Sequence, residues 1–418
     1  MTEQQQKNTN GLPLDRADSR MSHNHSVGDY LKDFIQKIKA GDLGSLPVVV
    51  GLIIICTVFS IVNPVFLSPN NLVNLLFDSA TVGLIALGVV CVLLLGEIDL
   101  SIGSMSGVGS AILGVMWVEA GYPLPLVILL AVLLGGVVGL IYALLRTELG
   151  MPSFVSTLAG LLALLGFQLY LLGATGSINL PYGSKLVNFG QIMLMDSAVS
   201  HSLALLPGIY IIIMGVRVHK KRLAANLSSA GLQVVFIRAI LFTIFLQGCA
   251  YYLNFSRGVP WIFGLFVLFV TIMDYALTRT KWGRAMFAVG GNAEAARRAG
   301  INIKAVYISA FVLCSTLATM GGMLAASRLA SASQQAGTAD VNLNAIAAAV
   351  IGGTSLFGGR GSAWAALLGV IVIMSISNGL TLLNLSSAHR YMITGAVLAI
   401  AVVIDSLARK SRVSHGKA

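Results

Sequence analysis

The chain has 418 residues, 56% hydrophobic and only 10% charged, with a net charge of +11 and a mean hydropathy of +0.85. Soluble globular domains carry roughly a quarter charged residues, so an ordinary soluble enzyme is excluded and an all-α, polytopic membrane protein is indicated. The basic residues lie in short loops between apolar runs, which fits the positive-inside bias of membrane proteins and argues against nucleic acid as a partner.

Residues 1–45 are polar, rich in Gln, Asn, Ser and charge, and contain no apolar core. The first apolar run starts only near Leu46, so the segment does not have the form of a signal peptide. It is predicted to be a disordered cytoplasmic tail, with an amphipathic piece around Tyr30–Ile38 suited to a membrane surface.

A spanning helix needs about 20 mostly apolar residues. Candidates run over 46–66, 74–96, 101–118, 124–145, 153–173, 203–217, 233–253, 260–278, 305–327, 343–357, 363–380 and 389–406. Several are short or Gly-rich, suited to half-helices or re-entrant segments, so the expectation is 10–12 transmembrane helices in a membrane domain over 46–406. A basic cytoplasmic tail follows at 407–418. Glycine is abundant, at 45 residues, as in helices that pack closely in lipid. The four cysteines, Cys56, Cys91, Cys249 and Cys314, lie within apolar runs without metal spacing and are expected to pack. The scattered His residues form no metal set.

The basic residues set the orientation. With both termini in the cytoplasm, 22 of the 27 Lys and Arg fall in inside segments. Only Lys185, Arg257, Arg328 and Arg390 fall outside, and Arg238 sits near the inner end of a span, within reach of the interface. The longest outside segment, 174–202, is polar to moderately apolar and suits a partner surface or a short surface helix.

Several stretches carry chemistry. Asp78 is an isolated acid near the outer end of a span, either interfacial or a polar contact along a path; Asn378 and Asn384 are open to the same two readings. Glu97 and Asp99, in Gly96–Ser104, either form a helix–helix corner, with Asp99 or Ser101 capping the next helix, or hold a gate at a broken helix. The small residues after them, Gly103, Gly107, Ser106 and Ser110, suit close helix packing. Pro152 in Met151–Thr157 favours a helix start. The Gly-rich 352–362 lacks the spacing of a phosphate loop and repeats the shape of 96–104, as in transporters with two related halves.

Arg279–Lys304 is a basic island between apolar runs. Asn292 is a good N-cap, Glu294 falls in the first turn, Arg297 and Arg298 in the last, and Gly300 ends the helix. So short a helix is unstable alone and must dock on something. No nucleophile–base pair, zinc motif or Walker lysine appears, so the chain is not expected to be an enzyme or to hold a cofactor.

EIDLSIGS (97–104), MPSFVSTLAG (151–160), GRAMFAVGGNAEAARRAGINI (283–303) and IGGTSLFGGRGS (351–362) together resemble the permease subunits of bacterial ABC importers for monosaccharides, the ribose/galactose/xylose family. The resemblance covers roughly 72–406, and the basic loop 217–231 and the stretch 256–270 look like the middle region of xylose-type members. It implies a homodimer in the bacterial inner membrane. It also implies a cytoplasmic ABC ATPase and a periplasmic sugar-binding protein as partners. It assigns ATPase coupling to the 283–303 loop, here Gly283, Arg284, Gly290, Gly291, Asn292, Glu294, Ala295, Arg297, Arg298 and Gly300. Asp78, Glu97, Asp99, Ser101 and Asn378 are the candidates for a translocation path or gate. The alternatives are an ion-coupled secondary transporter relying on Glu97, Asp99 or Asp78, a permease for ribose, galactose or a branched-chain amino acid, and a receptor-like membrane protein.

Overall fold

The computed structural model describes residues 46–386, apart from 228 and 230, together with 388–390, 392–397, 399, 400 and 403. The tails expected at 1–45 and 407–418, and much of the last expected span, lie outside the described residues. The described chain divides into two compact units, residues 195–258 and the remainder.

In the larger unit the helices are α1 (Leu46–Val62), α2 (Pro69–Leu94), α3 (Ile102–Ile112), α4 (Leu124–Thr147) and α5 (Ser153–Leu172). Then, after strand β1 (Ser177–Asn179), come α6 (Lys185–Gln191), and, beyond the smaller unit's α7 (Ser197–Ala224) and α8 (Leu232–Asn254), α9 (Trp261–Arg279), α10 (Lys281–Gly291), α11 (Ala293–Arg298) and α12 (Ile303–Leu329). Strand β2 (Ser331–Ser333), α13 (Ala339–Ile351) and α14 (Ala363–Leu382) complete the order. Nine helices among the described residues are long and apolar enough to cross a membrane, and α1 and α13 are shorter apolar helices. The chain is thus an all-α polytopic membrane protein. The apolar run expected over 343–357 breaks at Gly352, leaving α13 only 13 residues, about 20 Å long. The run at 101–118 changes to π-helical geometry at Leu113–Glu119.

Helix α2 forms the centre, with 83% of its spanning window buried. Ser68 caps its start by accepting from Asn71 N, and Pro69 occupies the first turn, where a missing N–H costs nothing. Helix α12 lies beside α2, α3 and α4 at distances only small residues permit. A Cβ on Gly322 would run into the Ser106 carbonyl of α3, and Gly109 meets the Thr319 carbonyl at 2.6 Å from its ideal Cβ position. Helix α1 packs Val48 against Val372, Ile376 and Leu380 of α14. At the far end from 279–304, residues 177–191 of the segment expected as a surface region fold onto α12. There β1 pairs antiparallel with β2, Ile178 opposite Ala332, and Ser327 Oγ donates to Leu186 O at 2.6 Å.

Replacing Gly322 with Leu is expected to lower the unfolding midpoint in detergent by several degrees, since overpacking costs about 1–3 kcal/mol. Gly136→Ala, where the nearest atom is Thr316 Oγ1 at 3.8 Å, is expected to leave it unchanged. Equal midpoints for the two variants, measured by thermal denaturation, would contradict this packing.

Candidate functional site

The 279–304 island folds as two short helices. The first, α10, is not anticipated by the capping argument. Thr280 starts it by accepting from Gly283 N at 3.2 Å, and it buries Gly283, Met286 and Val289. Trp282 Nε1 donates to Ser309 Oγ on α12 at 2.8 Å. The second, α11, has the expected cap: Asn292 Oδ1 accepts from Ala295 N at 2.9 Å. Gly300 turns the chain with φ +81°, where a side chain would be strained. Glu294 pairs with Arg297 at 3.4 Å and Arg298 at 3.5 Å. Such exposed pairs contribute roughly 0.3–0.5 kcal/mol each, so docking through buried Ala296 holds the helix in place.

This arrangement sorts the residues expected there. Arg284, Gly291, Asn292, Glu294, Ala295, Arg297, Arg298 and Gly300 are exposed and form an outward face. Gly283 and Gly290 lie on the inner side, packed against the rest of the chain. Gly290 sits in a notch against Leu94 O at the end of α2 and Gly359 N in the turn before α14, and a Cβ would fill that notch. Gly359 N itself donates to Leu94 O at 2.8 Å. The island therefore touches both helix breaks at once.

Glu97 sits beside this notch in the α2–α3 turn. Its Oε1 accepts from Arg146 Nε of α4 at 2.7 Å and from the Tyr307 hydroxyl of α12 at 3.2 Å. Its Oε2 accepts from Ser153 Oγ of α5 at 2.5 Å. The Arg146 guanidinium lies over the Tyr307 ring, 5.5 Å from its centre. One carboxylate thus joins the ends of three helices to a turn. A cavity of about 240 Å³ opens here, lined among others by Glu97, Arg146, Ser153 and Phe154. Outside it, Lys304 pairs with Glu148 at 2.5 Å. Tyr307 escapes the sequence reasoning; its one visible signal is its place one turn after the island.

Asp99 is 3% exposed. Its Oδ1 accepts from Ser101 N at 2.8 Å and Ser101 Oγ at 2.7 Å, while Oδ2 is buried without a hydrogen-bond partner. Burial pushes this carboxyl above its ordinary range, and the two Ser101 bonds, with a lesser contribution from the Cys314 thiol, oppose the shift only in part. The expected cap of the next helix by Asp99 or Ser101 is replaced by one from a distant helix. Asn342 Oδ1 on α13 accepts from Gly103 N at 3.0 Å, and its Nδ2 donates to Leu100 O. Ser101 keeps its hydroxyl for Asp99.

The remaining path candidates lie elsewhere. Asp78 is 16 residues before Leu94 on α2, about 24 Å along the axis. It pairs with Arg328 Nε at 2.8 Å, and Arg328 stacks 4.9 Å from the Phe77 ring centre. Asn378 and Asn71 exchange hydrogen bonds of 2.7 and 3.0 Å. Glu97, Asp99 and Ser101 therefore gather just past the C-terminal end of α2, whereas Asn378 meets Asn71 near its start and Asp78 lies between them. Among the described residues no group of three or more His, Cys, Asp and Glu is placed to hold a metal ion.

Residues 71–402 match the family model described as branched-chain amino acid transport system / permease component. The chain is 35% identical over 354 residues to the xylose transport system permease protein XylH of Escherichia coli (strain K12), covering 82% of this chain and 87% of that one. It is 34% identical to XylH of Haemophilus influenzae, covering 90% and 99%. It is 33% identical to the ribose import permease protein RbsC of Bacillus subtilis, covering 85% and 90%. No solved structure matches the chain.

The Asp99 shift has a signed consequence. A carboxyl raised on folding binds its proton more tightly in the native state, so stability is lost as pH rises past the ordinary value of 3.8 towards the raised one. Asp99→Asn removes that loss. Its unfolding midpoint is expected to exceed that of the parent chain by more at pH 8 than at pH 4. A gap that does not widen with pH, in melts of both proteins across that range, would show that Asp99 carries no such penalty.

Proposed function

The chain belongs to the permease-component family of bacterial transport systems, and on that premise we propose that it is the membrane-spanning subunit of an ATP-driven importer for a monosaccharide, D-xylose first among the candidates. The relatives named for xylose and ribose transport support the sugar class. The observation that carries the mechanism is the Gly290 notch. A segment with an exposed, charged outer face abuts the ends of both broken helices through backbone contacts. In this reading the chain makes no covalent change. A cytoplasmic ABC ATPase docks on Asn292–Gly300 and hydrolyses the ATP. A periplasmic binding protein selects the sugar, and two copies of the chain share the path in the bacterial inner membrane, with both termini cytoplasmic.

Movement of α10 and α11 bears directly on Leu94 and Gly359. It also reaches Tyr307 along α12, and Tyr307 holds Glu97. The island is thereby linked to the α2–α3 turn by two routes, one of backbone and one of side chains. Ion coupling is favoured by one observation alone, the buried Asp99. Glu97 and Asp78, the other acids that reading needs, are each held by an arginine.

Uptake in vesicles decides between the two. Sugar entry that requires internal ATP and an external binding protein is expected; entry driven by an ion gradient alone would overturn the reading. Within the assembly, Arg297→Glu with Arg298→Glu is expected to leave membrane insertion intact and to cut ATPase copurification at least fivefold. Unchanged copurification and uptake would remove the docking assignment. Tyr307→Phe keeps the ring over Arg146 and deletes the bond to Glu97. It is expected to retain ATPase attachment while raising the ATP hydrolysed per sugar imported. An unaltered ratio would exclude the side-chain route.

A further inference from the structure

Residues 195–258 form a hairpin of α7 and α8. The helices meet through small residues, Gly208 facing Thr243 and Gly215 facing Val235. One end is fastened by His201 Nδ1 and Gln247 Oε1 at 2.6 Å and by Asn254 Nδ2 donating to Ser200 Oγ at 2.9 Å. Much of the outer surface is apolar: only 11% of each spanning window is buried, and Leu206, Ile209, Ile240 and Phe245 stand exposed.

Helix α7 is longer than a bilayer needs. Its 28 residues span about 42 Å, against a hydrocarbon core of about 30 Å. The excess at its C-terminal end holds Arg217, Lys220, Lys221 and Arg222, and Arg238 follows in the second turn of α8. Arg217, Lys220, Lys221 and Arg238 are exposed. No Asp or Glu occurs between Asp196 and Asp274, so the hairpin supplies no carboxylate of its own. Residues 1–45 hold six acidic and six basic residues and bring no net counter-charge either.

We propose that this basic collar, set beside an exposed apolar band, is a binding surface for acidic phospholipids. Cations at a membrane surface attract anionic headgroups, and the apolar faces of α7 and α8 offer the acyl chains a matching surface. The inference needs only a membrane-spanning chain and stands apart from the transport reading.

The test is native mass spectrometry of the full chain in detergent, titrated with phosphatidylglycerol or phosphatidylcholine. The parent chain is expected to retain at least threefold more phosphatidylglycerol, with a preference that falls as salt is raised. The R217Q/K220Q/K221Q/R238Q variant is expected to lose the preference and R217K/K220R/K221R/R238K to keep it. Equal phosphatidylglycerol retention by the two variants overturns the proposal. So does a parent-chain preference indifferent to salt, a readout that does not depend on the variants folding. Loss of a copurifying protein from the neutral variant, with phospholipid retention intact, makes the collar a protein contact and overturns it too.

Discussion

Where a spanning helix breaks, the freed backbone groups have no water at hand and must find partners inside the protein. That constraint shapes this chain more than any single side chain. The breaks after α2 and α13 lie against each other, and Gly359 N donates to Leu94 O between them. Asn342 completes the repair by accepting from Gly103 N and donating to Leu100 O. Each break is stable because the other is present, so neither turn moves without the other losing a partner. Gly290 lies against this joint, with no room for a side chain.

The same economy governs charge. A partly buried carboxylate without partners is costly, and Glu97 is held by Arg146, Ser153 and Tyr307. Breaking one of these bonds leaves a partly buried charge short of a partner, so the junction favours discrete arrangements over gradual ones. Asp99 meets the constraint differently, by holding its proton more tightly than an exposed carboxyl does.

The spans were legible because apolar runs of spanning length can be found without knowing what they touch. The Asn292 cap was legible for a similar reason: its partner is Ala295, three residues away. What the sequence concealed is pairing across long separations. Asn342 serves Gly103 across 239 positions, and Tyr307 serves Glu97 across 210. Helix α10 was hidden because its start signal, Thr280, falls at the end of an apolar helix and reads as its continuation. The break at Gly352 was only half visible, since α13 and the glycines after it form one apolar run until the chain has to turn.

The burial of α2 changes what its polar ends can mean. The stretch from Ser79 to Leu94 is enclosed almost throughout by other helices of the same chain, and 72% of the window over Ile102–Glu119 is likewise buried. Helices so enclosed bury most of their length against the same chain, so the polar groups on them are answered by neighbouring helices. Asp78, nine residues into α2, and Glu97, just past its end, are each neutralised by an arginine from another helix, Arg328 and Arg146.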